Sequence, residues 1–449
     1  MKKNIKIIDA GNNFQNNKKR LTFRNAVTLL VAFLMIVTTG VYAAFVHPDT
    51  GGVYDTSYNN MYLYPCDATF VIYKDTSSDT VYVYNGTTGL ILYSSTNTSS
   101  CFKYAIDNLK PGLGGKIAVR EGVYVINTPI RMYVNSTAGW TPITIEGSGI
   151  ESTELSLAPN SNCNMIEFIV NGSQNDGFKI IKDMRITGNK ASQWQGYGFY
   201  SDRTGSGWSY DMVLENLYFS LCQSGGVYIS SGWGVRINNV LSENSDGIGM
   251  KLNGNQMHVT NCFVAYNRLE KGFDIAGDRN IVDNINLADN GNAGFRMHGC
   301  YNSVISNIHI RQWGVETAST YPAFQITGTS YNNTISNINI DGINRTVYAY
   351  WGMYVSGYKN VITGLRADRC NKLNLYVEGD DNRISGKFYN CTINTAFSVR
   401  SIVNGLGLNE GDPNSAGDWN GYGTFGDRVY DSTNDKFYSH NGTGWMVLN

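Results

Sequence analysis

The sequence predicts an all-β fold, a single-stranded right-handed parallel β-helix built as a solenoid of about 22-residue coils. Two short phrases recur along the chain and carry this prediction. The first runs apolar, any residue, Asn, apolar, any residue, apolar, as in Leu214 to Phe219, and the second places Gly before alternating side chains, as in Gly226 to Ile229. No helix-length apolar face separates the two phrases. Each repeat therefore supplies two short strands, which bury their inward side chains only by stacking on the next repeat.

The asparagine of the first phrase sets the period, because it returns at intervals of 23, 22, 23, 23 and 30 residues. Stacked strands lie about 4.8 Å apart, so these residues should form a column. Asn tolerates the left-handed backbone of a sharp corner, and its amide can bond to neighbours above and below. Gly364 and Gly386 replace it in two later coils and should keep the corner. We interpret the column as a structural ladder without a chemical role: Asn216, Asn239, Asn261, Asn284, Asn307 and Asn337.

The N-terminus predicts export across a membrane. Residues 1–25 form a basic leader that should stay cytoplasmic, and residues 26–46 carry no charge. The apolar part of residues 26–43 has the length of a signal peptide with a cut after Ala43, whereas the whole uncharged stretch is long enough for a transmembrane anchor. Cleavage and retention both stay open. In either case this segment makes the membrane a partner and places the rest of the chain outside.

Small β modules are predicted at both ends of the solenoid. Residues 44–100 alternate in short runs separated by turn residues and should form an N-terminal β module. Residues 101–109 predict a short helix, with Ser99 and Ser100 as cap candidates, that covers the first coil of the parallel β-helix at 101–400. Residues 401–449 are assigned to a linker and a C-terminal β cap.

The opening of the solenoid resembles a known family. The run FKYAIDNLKPGLGGKIAVREGVYVINTPI, followed by ITIEGSGIESTELSL, is similar to the corresponding segment of the pectate-lyase-like superfamily, especially its branch of phage tailspikes and surface proteins. With the ladder, the resemblance covers about residues 101–400 and implies the fold. It does not imply one reaction, because the fold hosts lyases, hydrolases, epimerases and non-enzymatic binders. The sequence lacks the Gly-His-Gly motif of polygalacturonases and the Arg-x-Pro-x-x-Arg motif of calcium pectate lyases.

Aromatic residues in the loops that follow ladder strands are candidates for glycan binding. Stacking should bring these loops to one edge of the solenoid, where exposed rings would meet the C–H faces of sugars. The alternative is that the rings pack against their own loops. The candidates are Trp194, Tyr197, Trp313, Tyr321, Tyr348, Tyr350 and Trp351.

Carboxylates after the ladder strands are candidates for acid–base chemistry. Glycoside cleavage uses two carboxyl groups about 5 to 10 Å apart, and Glu243, Asp246, Asp289 and Glu316 occupy such positions on nearby coils. The alternative is that they are ordinary turn residues.

A separate charged row is expected on the outward side of the glycine-phrase strands, where Lys251, Asp274 and Arg296 fall at equivalent positions. It is interpreted first as an ion-pair row of little energetic worth. The second interpretation is a site where Arg296 removes a proton from a sugar ring beside an acidic group.

Composition limits the partners. The chain has 35 Lys and Arg against 36 Asp and Glu, so it offers no electrostatic case for nucleic acid. No cofactor is evident and no metal-ligand spacing is visible, although calcium held by turn carboxylates stays open. Among the eight cysteines, Cys262 should be a buried thiol, and two pairs are candidate disulfides, Cys66–Cys101 and Cys370–Cys391.

The leading functional hypothesis is an exported β-helix protein, at a cell surface or on a virion, that binds polysaccharide or glycan and could degrade it. One alternative is a polysaccharide lyase or glycoside hydrolase. Another is a non-enzymatic structural fibre or envelope component, for which a homotrimer is one open assembly.

Overall fold

A computed structural model describes residues 52–55, 60–63, 66–133, 140–172, 175–313, 321–342, 351–370, 373–389, 393–397, 401–403, 406–409, 428–431, 436–441 and 443–448. The chain divides into two units, residues 1–62 and residues 63–449. The predicted leader and the signal or anchor segment, residues 1–46, lie outside the described residues. Within the described part of the chain, no helix is both long and apolar enough to cross a membrane.

The described structure is almost entirely β, as predicted. Its α-helix is α1 (Thr98–Asp107), and a short 3-10 turn spans Lys190–Ser192. The first strands are β1 (Gly52–Asp55), β2 (Asn60–Leu63), β3 (Phe70–Lys74), β4 (Val81–Asn85), β5 (Ile91–Ser95), β6 (Gly115–Val119), β7 (Gly122–Ile126), β8 (Ile130–Arg131), β9 (Ile143–Glu146), β10 (Thr153–Leu157), β11 (Ile166–Val170) and β12 (Asp176–Gly177). The middle strands are β13 (Lys179–Thr187), β14 (Tyr197–Arg203), β15 (Ser209–Tyr210), β16 (Val213–Ser220), β17 (Gly225–Trp233), β18 (Arg236–Glu243), β19 (Ile248–Asn255), β20 (His258–Ala265), β21 (Phe273–Asp278), β22 (Ile281–Asn290), β23 (Phe295–Tyr301) and β24 (Val304–Trp313). The last strands are β25 (Pro322–Ile326), β26 (Thr334–Asp341), β27 (Trp351–Val355), β28 (Val361–Asp368), β29 (Leu373–Val377), β30 (Arg383–Tyr389), β31 (Ile393–Phe397), β32 (Ile402–Val403), β33 (Leu406–Asn409), β34 (Arg428–Asp431), β35 (Lys436–His440) and β36 (Trp445–Leu448).

Two long parallel sheets run the length of the solenoid, and each coil contributes one strand to each sheet. Sheet 1 contains the ladder strands β13, β16, β18, β20, β22, β24, β26, β28 and β30, whereas sheet 2 contains β8, β11, β14, β17, β19, β21, β23, β25, β27, β29 and β31. Register partners along sheet 1, such as Ile285, Ile308 and Ile338, repeat the predicted spacing. The strands of the first sequence phrase therefore form sheet 1, and the strands of the second phrase form sheet 2.

The core fills the space between the sheets with stacks of like side chains. Ile285, Ile308 and Ile338 are at most 1% exposed. Phe273, Phe295 and Phe324 form a second stack, with ring centroids 4.9 and 4.7 Å apart and nearly parallel planes. Such offset pairs add about 0.5–1.5 kcal/mol each beyond the area that they bury.

The predicted asparagine ladder is present on the outside of the corner. All six residues have φ between 50° and 56°, and the amide of Asn284, for example, donates to Asn261 Oδ1 at 2.8 Å. The column begins one coil earlier at Asp183, whose Oδ1 accepts from Asn216, and continues into Gly364 with φ of 64°. Gly386 does not continue it, because strands β28 and β30 shift register between Ile362 and Leu365 and its φ is not positive.

A second ladder, which the sequence analysis missed, is buried inside the corner. Its side-chain oxygens accept the backbone N–H one coil earlier, as Asn333 Oδ1 does from Ser303 at 3.0 Å and Asn360 Oδ1 from Asn333 at 3.2 Å. Its members are at most 1% exposed: Asn280, Ser303, Asn333, Asn360 and Asn382. The first four stand four residues before Asn284, Asn307, Asn337 and Gly364. This second ladder satisfies backbone donors that the turn removes from water.

Helix α1 caps the first coil, as predicted, but it begins earlier than expected. Asn97 is the N-cap and accepts from Ser100 N, so Ser99 and Ser100 lie within the helix. Its buried face, which includes Phe102 and Ile106, joins the core of the solenoid.

The predicted Cys66–Cys101 disulfide is wrong, because both thiols are free. The Sγ of Cys101 is buried beneath α1 and lies 3.4 Å from the carbonyl of Val81. Cys391 lies outside the described residues, so the other candidate pair stays a prediction. Cys262 is a buried thiol as predicted, and burial raises its pKa to about 12.

Candidate functional site

The outer face of sheet 2 carries one continuous line of polar and aromatic side chains, which we call the outer column. Residues in parallel register lie one strand spacing apart, so the column spans about 34 Å over seven spacings. Its members, in order, are Tyr200, Tyr228, Lys251, Asp274, Arg296, Gln325, Tyr354 and Tyr376.

A buried carboxylate organises the centre of the outer column. Asp274 is fully buried and accepts from Arg296 Nε at 3.0 Å and from Arg296 Nη2. Its Oδ1 also lies 2.8 Å from His298 Nδ1. Burial by itself would raise the pKa of Asp274, but the hydrogen bonds from His298 and Arg296 hold that pKa below its ordinary value. Asp274 is therefore an ionised group that holds two other side chains in place.

His298 stands two residues after Arg296, so both side chains project from the same face of β23. Because the Asp274 carboxylate can only accept, Nδ1 of His298 carries the proton of their hydrogen bond, and neutral His298 keeps its lone pair on Nε2. The His298 side chain is 37% exposed. The arrangement is an oriented imidazole whose basic nitrogen is available to a ligand.

Lys251 adds a cation on the other side of Asp274. It is the register partner of Asp274 on β19, and its Nζ lies 5.1 Å from the centroid of the Tyr228 ring. No carboxylate among the described residues forms an ion pair with it. With Asp274 engaged by Arg296, the centre carries a surplus of positive charge.

An aromatic cluster flanks the centre on the side of the earlier coils. The rings of Tyr197, Tyr200 and Tyr228 lie 4.9 to 5.8 Å from one another. The Tyr200 hydroxyl donates to Asp202 at 2.6 Å, and Ser230 donates to the same carboxylate. Burial raises the pKa of Tyr197 to about 12. All three phenols therefore stay neutral near pH 7.

A matching aromatic cluster flanks the centre on the side of the later coils. The rings of Trp351, Tyr354 and Tyr376 lie 5.5 to 5.7 Å apart. The Tyr354 hydroxyl donates to Glu378 at 2.5 Å. Tyr197 and Trp351 each precede the outward tyrosine of their strand by three residues. The same strand geometry therefore places one extra ring at either end of the charged centre.

Comparison with known proteins agrees with this architecture. A family model described as a right-handed β-helix region matches residues 203–345. The chain is a right-handed parallel β-helix protein. The right-handed parallel β-helix that the sequence predicted is confirmed. No curated protein matches the sequence.

Several solved structures align with this β-helix protein at low sequence identity. The A-module of mannuronan C-5 epimerase AlgE6 of Azotobacter vinelandii is 14% identical, with a TM-score of 0.41, over 69% of this chain and 94% of that one. Tailspike protein 2 of bacteriophage CBA120 is 13% identical, with a TM-score of 0.46, over 78% and 52%. The alginate lyase of a Paenibacillus strain is 13% identical, with a TM-score of 0.40, over 68% and 97%.

Three of the four predicted catalytic carboxylates are described, and each of the three contacts a polar neighbour. Glu243, at the end of β18, accepts from the Tyr218 hydroxyl. Asp246 accepts from Lys190 Nζ at 2.7 Å. Asp289 adopts a left-handed φ of 51° and contacts the amide of Gln312. Glu316 lies outside the described residues. Such contacts are common for turn and strand-end residues, and a catalytic role for these carboxylates stays a prediction.

The predicted aromatic residues separate into three groups. Tyr197 and Trp351 belong to the two clusters of the outer column, and Trp194 and Tyr321 are 71% and 37% exposed. Trp313 is fully buried, with its Nε1 donating to the Tyr321 carbonyl at 3.2 Å. The expectation of an exposed ring at Trp313 is therefore wrong, because β24 runs on through this residue and turns its ring into the core. Tyr348 and Tyr350 lie outside the described residues.

The sequence predicted the charged row but not that the row lies at the centre of a candidate binding site. Lys251, Asp274 and Arg296 are in register as expected. The sequence analysis did not single out His298, although its place two residues after Arg296 puts it on the same face of β23. Within the described residues, no group of three or more His, Cys, Asp or Glu side chains could hold a metal ion.

Proposed function

We propose that this protein binds an extended polysaccharide chain along the outer face of sheet 2. The observation that carries the proposal is the outer column, a straight line of about 34 Å with an aromatic cluster on each side of a charged centre. It is an open linear surface, which suits a polymer better than a compact small molecule.

The chemistry of the outer column matches that of a sugar chain. Pyranose rings present C–H groups that pack on aromatic faces, and the tyrosine clusters offer such faces. Sugar hydroxyls need donors and acceptors at the ring edge, which Gln325 and Arg296 supply between the clusters. The surplus positive charge at Lys251 favours a polymer with acidic sugars, because its ammonium has no carboxylate partner among the described residues.

Affinity electrophoresis through gels that contain alginate, polygalacturonate, hyaluronate or dextran tests this proposal. We expect at least one acidic polymer to retard the protein. The double variant Tyr228→Ala/Tyr354→Ala should raise Kd about tenfold, since each ring contributes about 0.5–1.5 kcal/mol. Tyr358→Ala is the matched control, because Tyr358 is an exposed tyrosine that stacks on Tyr331 and is not a member of the outer column. Equal retardation of both variants, or none for the wild type, contradicts the proposal.

A second candidate function, cleavage of an acidic polysaccharide by β-elimination, is favoured by the contact between His298 and Asp274. The neutral Nε2 of His298 would take the proton from the ring carbon next to a sugar carboxylate, while Arg296 and Lys251 offset the negative charge that builds up there. The electron pair of the broken C–H bond forms a C=C bond as the C–O bond to the next sugar breaks. The leaving oxygen then takes a proton from a nearby hydroxyl, such as that of Tyr228, and no water is consumed.

The ultraviolet absorbance of unsaturated uronate ends measures this reaction directly. His298→Gln should abolish the absorbance while leaving retardation in the gel unchanged. Asp274→Asn should lower kcat more than it raises KM, because it removes the group that fixes the imidazole tautomer. A wild-type protein that binds an acidic polymer without releasing unsaturated ends would leave binding as its whole function.

We also propose that the protein acts outside the cytoplasm, at a cell surface or on a virion. The basic leader of residues 1–25 followed by the uncharged stretch of residues 26–46 supports export. N-terminal sequencing of the protein recovered from its native source distinguishes a chain that begins after Ala43 from one that keeps the segment as an anchor. Recovery of the full leader in a soluble cytoplasmic fraction contradicts the proposal.

A further inference from the structure

Five aromatic side chains form a second exposed surface on the early coils, which we call the aromatic corner: Trp140, Phe178, Trp208, Tyr210 and Trp233. The Trp140 ring stacks on Tyr210 at 5.5 Å and lies 5.3 Å from Phe178. Trp233 lies 6.0 Å from Tyr210 and meets Trp208 edge-on at 5.9 Å. The rings therefore form one contiguous aromatic surface that contains three of the eight tryptophans of the chain.

Part of the aromatic corner is open to solvent, and its remaining rings, Trp208, Tyr210 and Trp233, are half-buried. Trp140 and Phe178 are each 39% exposed. Gly177 is the register partner of Tyr210 on the neighbouring strand β12 and carries no side chain, which leaves room for the Trp140 ring to stack on Tyr210. Contiguous exposed aromatic groups of this kind mark ligand-binding surfaces more often than isolated exposed rings do.

Phe178 occupies a backbone position that suits it poorly. Its φ is 57°, in the left-handed region that bulky residues rarely adopt. It precedes a sheet 1 strand. The matching corners of later coils, also at positive φ, hold Asp211, Gly234, Gln256, Arg279, Asn302, Asn332, Lys359 and Asp381. Among these described corners Phe178 is the one apolar residue, and its ring is exposed, which points to a role for the ring beyond folding.

The surrounding structure holds Phe178 in that conformation. Its N–H donates to the Tyr210 carbonyl at 3.0 Å, and its carbonyl accepts from Ile143 at 3.0 Å. The next residue, Lys179, is buried, and its Nζ donates to Asp176 at 2.8 Å and to the Thr141 carbonyl at 2.9 Å. These bonds lock the turn on both sides, so the ring is presented in one fixed orientation.

The aromatic corner is continuous with the outer column through shared strands. Strand β17 carries Tyr228 of the outer column and ends at Trp233 of the corner, five residues or about 17 Å further on. Strand β14 carries Tyr200 and ends at Arg203, whose guanidinium lies 4.7 Å from the centroid of the Trp208 ring. A ligand on the outer column could therefore reach the corner without leaving the protein surface.

We propose that the aromatic corner is a second carbohydrate-binding surface, which takes sugar rings of the same polysaccharide beyond or beside the outer column. The proposed function supplies the class of ligand, whereas the location and the ring geometry stand independently of it. Flat ring faces bind the C–H faces of sugars, and Arg203 and Asp211 at its edge can bond to their hydroxyls. The aromatic corner would contact sugar rings in general, whereas the charged centre of the outer column would give the preference for acidic sugars.

Two corner variants and a matched control test this inference in the full chain, by affinity electrophoresis with the polymer that retards the wild type. Phe178→Asn removes the ring but installs a residue that the left-handed turn favours, and Trp140→Ala removes a ring outside the strands. Each should raise Kd about three- to tenfold, and Phe178→Asn should leave the thermal midpoint unchanged or higher. Gln256→Asn places the same residue at the same kind of corner, with φ of 54°, and should leave Kd unchanged.

The outcomes separate this inference from the proposed function. If both corner variants keep the wild-type Kd while Tyr228→Ala/Tyr354→Ala loses binding, the corner is structural and only this inference fails. If the corner variants weaken binding and the double variant does not, the corner stands and the outer column fails. If no polymer retards the wild type, both fail together. A Phe178→Asn variant with a lower thermal midpoint and an unchanged Kd would identify the ring as a packing element.

Discussion

Removing one rung of the buried ladder should cost more stability than removing one rung of the exposed ladder. Asn333 uses its side chain fully, because Oδ1 accepts from Ser303 N at 3.0 Å and Nδ2 donates to the Cys300 carbonyl and to Asn360 Oδ1 at 3.0 and 2.9 Å. Asn333→Ala deletes all three bonds at a site that is 1% exposed.

The expected loss in the free energy of unfolding depends on which buried groups are left without any hydrogen-bond partner. The Cys300 carbonyl still accepts from Tyr331 N, and Asn360 Oδ1 still accepts from Asn333 N. The buried N–H of Ser303 is left without an acceptor, which costs about 1–3 kcal/mol. The small hole left by the amide adds to this, so we expect a loss of about 3 kcal/mol in the free energy of unfolding.

Asn307 on the exposed ladder is the matched control. Its amide donates to Asp283 Oδ1 at 2.7 Å and its Oδ1 accepts from Asn337, but water can replace both bonds at this exposed site. Asn307→Ala should therefore cost only about 1 kcal/mol, mainly from placing Ala at a φ of 54°. Glycine should be at least as stable as alanine at position 307, whereas at position 333, which lacks a positive φ, glycine should be less stable than alanine.

Urea unfolding of the four variants, followed by circular dichroism, measures these differences as shifts of the midpoint at constant slope. Two comparisons decide the test. The first is whether Asn333→Ala loses more stability than Asn307→Ala. The second is whether glycine is less stable than alanine at position 333 but at least as stable as alanine at position 307. A smaller loss for Asn333→Ala than for Asn307→Ala would refute the assignment of the backbone bond to the buried ladder.

Three further predictions concern charge and thiols. The folded-state pKa of Asp274 lies below 3.8, so its stabilisation is complete above the unfolded-state pKa and is lost as the pH falls through the lower folded-state value. Asp274→Asn should thus cost about 3 kcal/mol at pH 7, and its difference from the wild type in acid-unfolding curves should shrink below about pH 4. Lys251→Gln should weaken binding of an acidic polymer and flatten the salt dependence of its Kd, measured between low and high ionic strength, because one unpaired cation is removed. Burial raises the pKa of Cys222 and Cys262 to about 12, so Ellman's reagent should label them only after unfolding; labelling in the native protein would contradict their burial.

Much of the architecture could be predicted because short, repeated sequence patterns encode it. A two-residue alternation specifies which side chains point inward, and the ladder period specifies where each coil turns. Both are local properties, and Ile285, Ile308 and Ile338 accordingly lie where the pattern put them. The buried ladder follows the same period four residues earlier, and it was missed because Asn and Ser in turns ordinarily serve the turn itself.

The functional surfaces were less predictable because they depend on how coils of unequal length stack. The early coils are longer, and Met184 pairs with Leu217 33 residues later, so the ladder spacing of the later coils does not reveal that Phe178 and Tyr210 meet Trp140. Trp313 is a second example, in which a ring predicted to be exposed is buried. Its loop position suggested exposure, whereas the continuation of β24 buries it.

By itself the sequence determined the solenoid, the two sheets, the exposed ladder and the register of Lys251, Asp274 and Arg296, since each follows from spacing along the chain. Only the tertiary structure decided that Asp274 is buried beneath Arg296 and His298, and that two aromatic clusters flank this centre on one line. It also decided which rings stay exposed at the aromatic corner. The physical reason is that burial and ring contacts depend on neighbours from other coils. The positions of those neighbours along the solenoid depend on loop lengths and strand ends, which no single repeat encodes.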